Sequence, residues 1–224
     1  MTGAAMKDAR RARRWTQATL ARRLRVTQAY VSLLEAGERP VPDALAAKVV
    51  RLLQLPPTEL PHDDPDRPFN ADASTCALAA LGCPRLEHLS RGTSLNPAEA
   101  LFRTLRSQPV EARTFEALPW LARRYPSLDW DWLLPHAKQH DLQNRLGFVV
   151  SLARDLAERD GDTEAVAMLD AQTDKLEGAV LRKADDLGAT LTRTERTWLL
   201  EHRSPQAAHW NVLSNLAVDA LTRA

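Results

Sequence analysis

Apolar residues along this 224-residue chain recur at steps of three and four, the spacing of helices that bury one face. Near the start, Leu20, Ala21, Leu24, Val26, Val31 and Leu34 keep that spacing and predict two short helices, 17–24 and 28–36, sharing a core. Thr16 and Thr27 stand just ahead of them, where a hydroxyl can accept an orphaned backbone N–H. Farther on, Asn96-Pro97-Ala98-Glu99 opens another helix with a cap, a first-turn proline and an early acid. Pro109 opens a segment reaching about Arg124, interrupted by Pro119, and Ser127 begins a run that Pro135 breaks or kinks. Leu142, Leu146, Val149, Ala153 and Leu156 mark a long helix stopped at Gly161. Asp162 caps a second long one, with the stripe Val166, Leu169, Thr173, Leu176, Val180, Ala184 and Leu187. The pair predicts an antiparallel hairpin over 142–187. Thr192-Arg193-Thr194-Glu195 is a capping box. Ser204-Pro205 starts the last predicted helix, which carries Val212, Leu213, Leu216, Ala217, Ala220 and Leu221. No segment predicts a strand, so the expected fold class is all-α.

The two short helices near the start are joined by a turn too tight to let them separate. The second presents Gln28, Ala29, Ser32 and Leu33 outward. This is the arrangement of a helix-turn-helix with a face able to enter a DNA major groove. The runs Thr16-Gln17, Ala21…Leu24…Val26-Thr27-Gln28, Tyr30-Val31-Ser32 and Leu34-Glu35-Ala36-Gly37, then Arg39-Pro40, make residues 6–55 resemble the Xre family of bacterial and phage repressors. That group includes Cro. Arg25 departs from it, standing where the family often has Gly or Asn before the turn.

The resemblance implies an N-terminal domain of the five-helix type and a division of labour within it. Gln28 would point its amide at base edges, where it can pair bidentately with adenine. Thr27, Ala29, Ser32 and Leu33 are the further candidates for base contact, though Ala29 and Leu33 have no donors and can at best touch a thymine methyl group. Gln17 and Arg39 match positions that hold the phosphate backbone, and Arg10, Arg13 and Arg14 lie near enough in sequence to join them. Phosphate contacts give affinity and register without reading sequence. Trp15 and Tyr30 are expected to pack rather than to stack on bases.

Charge supports this picture. Residues 1–61 carry eleven Lys and Arg against five acids, a net of +6, whereas the whole chain is only +1 and the remainder therefore −5. A basic head on an acidic body suits a phosphate-binding domain attached to something else. Pro56, Pro57, Pro61, Pro65 and Pro68, with Asp63, Asp64 and Asp66 among them, predict an extended, stiff linker. The expected domains are therefore a helix-turn-helix unit at 1–58, a linker at 59–69 and a larger helical bundle at 70–224. No apolar run is long enough to span a membrane and no signal-peptide pattern is present, which predicts a cytoplasmic protein. Cys76 and Cys83 are expected to be free thiols.

The body offers weaker chemistry. His136 and His140 are one helical turn apart, but no further ligand accompanies them, so no metal and no cofactor is expected. Arg196 and His202 form an R-x5-H string resembling the active motif of the all-helical HEPN ribonucleases, and Arg203…His209 repeats the spacing. Trp120, Tyr125, Trp130 and Trp132 gather within thirteen positions, with Arg123, Arg124 and Arg145 nearby. They form either a core corner or a partner surface, for which Trp120, Trp130, Trp132 and Arg145 are the candidate contacts. An all-helical body also excludes the β-rich self-cleaving protease of some phage repressors. The expected protein is a non-enzymatic transcriptional repressor, a homodimer on a palindromic double-stranded operator. Its layout resembles an antitoxin that controls its own operon and binds a cognate toxin through the body. The alternatives are a ligand-sensing regulator and a HEPN-like ribonuclease fused to a DNA-binding head.

Overall fold

The computed structural model describes residues 1–67, 69–89, 95–108 and 111–222. Pro68 and Pro109, which the sequence reading places in the linker and at a helix start, lie outside them. The described residues form helices, turns and one isolated bridge, Asp185 with Val212, and no strand. The fold is all-α. The chain divides into a unit at Met1–Asp63 and a unit at Asp64–Ala224.

The first unit holds α1 (Gly3–Ala12), α2 (Gln17–Leu24), α3 (Gln28–Glu35) and α4 (Asp43–Leu53), followed by a 3₁₀ turn at Pro57–Glu59. That turn takes the place of a fifth α-helix, because Pro61 has no N–H to bond the Pro57 carbonyl and pushes Leu60 before it into extended backbone. Thr16 and Thr27 cap as expected: their hydroxyls accept the N–H of Thr19 at 3.1 Å and of Tyr30 at 3.2 Å. The core is Met6, Leu20, Ala21, Leu24, Val31, Leu34, Leu45, Val49 and Leu53, with Val26 partly buried against it. Arg25 ends α2 at φ +60°, a left-handed position that costs a side chain about 1–2 kcal/mol and that Gly would fill without strain.

The second unit comprises α5 (Ala71–Ala80), α6 (Pro97–Arg106), α7 (Ala112–Glu116), α8 (Leu118–Arg124), α9 (Trp130–Gln139), α10 (Gln143–Arg159) and α11 (Thr163–Glu177). It ends with α12 (Arg193–Glu201), α13 (Pro205–His209) and α14 (Val218–Thr222). A 3₁₀ segment, Pro84–Leu89, lies between α5 and α6. The axis of this unit is α10, buried along most of its length, with α11 folded back on it as a hairpin and α8 on another side. Trp210, fully buried, packs flat against the backbone at Gly147 and donates its indole N–H to Ser151 Oγ at 2.6 Å.

Four expectations change here. The stripe from Val166 to Leu187 does not stay helical, because α11 stops at Glu177 before Gly178. Beyond it the chain is irregular and is held by polar side chains. Asn144 Nδ2 donates to Leu181 O at 3.1 Å and its Oδ1 accepts Leu181 N at 2.7 Å, while Arg145 grips Asp185. Val180 and Leu187 still reach the core, so apolar spacing persists where the helix does not. The last predicted helix is likewise broken after His209. Asn211 adopts φ +51° and ties its amide to Leu181 O and Arg182 O, and Val212 joins the bridge. Pro135 does not break α9, which runs through it from an Asp129 cap rather than from Ser127; the carbonyl left unbonded belongs to exposed Asp131. The linker is not extended throughout either. Arg103 donates to Asp64 O at 2.6 Å, and Arg106 donates to Pro65 O and Asp66 Oδ1 at 2.8 Å each, so Asp64, Pro65 and Asp66 are strapped to α6.

A methyl group at residue 147 would lie 2.2 Å from the Trp210 ring, which is itself fixed by Ser151. Gly147→Ala should therefore cost about 1–3 kcal/mol by overpacking. Denaturant unfolding of the full-length chain measures it.

Candidate nucleic-acid interface

The recognition surface is built from the N-terminal half of the head. In α3, Gln28 and Ser32 form one row and Ala29 and Leu33 the adjacent row, on the side opposite buried Val31 and Leu34. Thr27, Gln28, Ala29 and Ser32 are exposed and Leu33 is half-buried. The structure thus brings four of the five residues expected at base edges into two adjacent rows, with Thr27 capping the start of the helix. The Thr27 hydroxyl already accepts Tyr30 N, which leaves its own O–H to donate.

What holds that face in place is an ion pair the sequence reading did not single out. Arg10, on α1, donates from Nε to Glu35 Oε1 at 2.6 Å and from Nη2 to Oε2 at 2.7 Å, a bidentate pair. Their side chains are 9% and 2% exposed, so the charges sit in the interior. A third bond runs from Arg10 Nη1 to Trp15 O at 2.6 Å, and Gln17 Nε2 on α2 adds one to Glu35 Oε2 at 3.0 Å. Burial pushes the Glu35 carboxyl up, but the hydrogen bonds from Arg10 and Gln17 and the charges of Arg10 and Lys7 outweigh it and hold the pKa below the ordinary carboxylate value. The Arg10 guanidinium is raised, first by its hydrogen bond to Glu35. The signal available in sequence was Glu35, the one acid within the recognition helix, in a head whose eleven cations outnumber its five acids.

This geometry corrects the expected phosphate set. Arg10 is buried and fully engaged, so it is withdrawn from it. Arg13 turns toward the end of α4, donating to Leu53 O at 3.0 Å and Gln54 Oε1 at 2.9 Å, and it is half-buried. Gln17 gives its side-chain amide to Glu35. Its position at the start of α2 still offers first-turn backbone N–H groups, a common seat for a phosphate. Arg14 and Arg39 are exposed. Arg39 follows the Gly37 turn, where the N–H groups of Glu38 and Arg39 fold back onto Leu33 O and fix it beside the recognition helix. Trp15 is half-buried with the Arg23 guanidinium 4.4 Å from its ring centre, a packing role as expected.

Residues 3–62 match the family model of a helix-turn-helix domain. The head is a helix-turn-helix domain. Neither a curated protein nor a solved structure matches the chain.

Outside the helix-turn-helix domain, the expected partner residues do not converge on one surface. Trp130 is 7% exposed and donates its indole N–H to Pro126 O, which makes it core. Arg145 is buried in a bidentate pair with Asp185 at 2.7 and 2.8 Å and donates to Leu105 O, so it too is structural. Trp120 and Trp132 are half-buried, Trp132 lying between His136 and Phe102. His136 Nδ1 lies 2.7 Å from Trp132 O, and His140 packs against Phe102. Cys76 and Cys83 are free thiols, and burial pushes the Cys83 thiol up. Arg196 pairs with Asp186 at 2.9 Å while His202 stacks on Trp198, two separate engagements for the residues of the R-x5-H string. Among the described residues no helix is long and apolar enough to cross a membrane.

Arg10→Met would leave the buried Glu35 carboxylate without its cation and should cost the head about 3–5 kcal/mol, whereas Arg14→Ala at the exposed surface should stay within about 0.5 kcal/mol. Because the folded Glu35 pKa lies below an unfolded value of about 4.3, its contribution is complete above that pH and is lost as pH falls through the folded value. Unfolding of the head followed from pH 7 to pH 2 should show this loss in the native protein and not in Glu35→Gln.

Proposed function

We propose that this protein is a sequence-specific transcriptional repressor that binds a palindromic operator as a homodimer and regulates its own gene. The observation that carries the reading is the exposed double row Gln28/Ser32 and Ala29/Leu33, on a recognition helix whose end is locked by Arg10 and Gln17. Such a face is wide enough for a few base edges and too poor in donors to specify a site alone. Two copies spaced by one turn of DNA, about 34–36 Å, supply the missing specificity. The body, net acidic where the head is basic, serves assembly and partner binding rather than DNA. In this reading it takes no cofactor and performs no chemistry. It holds the two heads at the operator spacing and docks a partner protein in the manner of an antitoxin and its toxin.

The test separates reading from holding. Gln28→Ala should lose about 1–3 kcal/mol of operator binding, the worth of one bidentate base contact, with non-specific binding nearly intact. Arg39→Ala should weaken binding to all sequences alike and flatten the salt slope by about one unit. Titration of operator and random duplexes at several salt concentrations measures both. Equal losses on the two duplexes for Gln28→Ala would remove it as a reader of sequence.

A further inference from the structure

In the second unit α12 is an element without a buried surface. None of its nine residues is buried, and Trp198 and Leu200 are 48% and 44% exposed. Its start is well made, with a full capping box, and Arg196 anchors it to Asp186. Caps alone do not sustain a helix this short, since isolated helices under about 12–15 residues are marginal in water. Trp198 is stiffened by stacking on His202, with ring centres 4.4 Å apart and planes 9° from parallel. Trp is, with Tyr and Arg, among the residues enriched at the hot spots of protein interfaces. Trp198 and Leu200, two positions apart, project from opposite flanks of the helix. A flat partner can cover only one of them, whereas a concave one can take both.

The same unit carries such a concavity. Between α5, the Pro84–Leu89 segment and the start of α7 lies an open pocket of about 470 Å³, with Leu86 and Cys76 in its walls and Leu89, 37% exposed, among its lining residues. That volume is ample for an indole. Its charges are Asp72 and Glu111 on one hand and Arg113, steadied by Arg85 O at 3.1 Å, on the other. Helix α12 offers the complement, with Arg193 at its first turn and Glu201 at its last.

We infer that a second copy of this chain is the partner, α12 of each copy seating Trp198 in the Leu86/Cys76 pocket of the other. One two-fold axis makes both insertions at once and doubles the buried area, the isologous arrangement that closes a dimer. The inference rests on the dimeric reading proposed above and gives it a surface. It also moves the interface from the 142–187 hairpin and the terminal segment, whose apolar residues the structure uses for its own core, to a helix with no buried residue.

The experiment uses the full-length chain without DNA. Light scattering after sizing should show a dimer at micromolar concentration. Trp198→Ala and Leu200→Glu should each weaken dimerisation at least tenfold, with the helical circular dichroism unchanged because α12 buries nothing. Trp198→Cys, treated with copper–phenanthroline and oxygen, should form a disulfide to Cys76 of the other copy. The two thiols lose two electrons and two protons to the oxidant, and peptide mapping locates the link. Cys76→Ser in that background should abolish it. A monomeric native protein, an undiminished dimer in Trp198→Ala, or a link from 198 to 198 would each overturn the inference. DNA binding is scored separately through Gln28→Ala, so failure here and failure of the repressor reading are told apart.

Discussion

The head depends on one buried charge pair. Helix α3 is eight residues long and buries only Val31, Leu34 and Glu35, too little apolar area to fix its orientation by packing alone. Glu35 does the rest: it draws α1 in through Arg10 and the start of α2 through Gln17. Taking two charges out of water is costly, and an apolar trio of the same shape could be as stable. The pair contributes discrimination instead. Any arrangement that slides α3 against α1 or α2 leaves a buried carboxylate without its donors, several kcal/mol above the native one. The rows Gln28/Ser32 and Ala29/Leu33 inherit their direction from that penalty.

The same bond changes what the charge of the head means. A net of +6 over residues 1–61 suggests a broad phosphate-binding surface. Arg10 and Glu35 cancel in the interior, and Arg13 is turned to the end of α4. The cations left to a duplex are exposed ones such as Arg14 and Arg39, together with helix-start amides. In the repressor reading proposed above, affinity and register would come from fewer groups than composition suggests, and sequence reading would fall to the few donors of α3.

Short-range structure was legible in the chain because its causes are short-range. Thr16, Thr27, Asn96, Asp162, Thr192 and Ser204 cap helices within a few residues of themselves, and a hydroxyl or amide before an apolar repeat announces this directly. The exposed face of α3 followed from the same spacing. What escaped was set by residues distant in sequence. Periodicity registers that Val180 and Leu187 touch a core, not whether a helix carries them there. Asn144, Arg145 and Asn211 decide that point from 30–40 positions away, by satisfying the backbone of an irregular segment. Arg10 was misassigned for the same reason, its partner Glu35 lying 25 residues on. Trp130 and Arg145 look like interface residues by type, and only burial separates them from Trp198.

Two adjacent acids carry the consequence of that irregular segment outward. Asp185 faces the core, where Arg145 on α10 holds both its oxygens and the N–H of Leu187 closes on it. Asp186 binds Arg196 of α12 and accepts the N–H of Gly188, which turns the chain at φ +76°. One residue thus fixes the loop to the central helix and the next fixes α12 to the loop. A helix placed only by general apolar packing would lie down on the body and bury its Trp. The partly exposed Arg196–Asp186 pair ties one side of α12 to a loop locked to α10, and Trp198 and Leu200 stay exposed. The exposure of α12 therefore follows from the polar interior of the second unit, as the direction of α3 follows from that of the first.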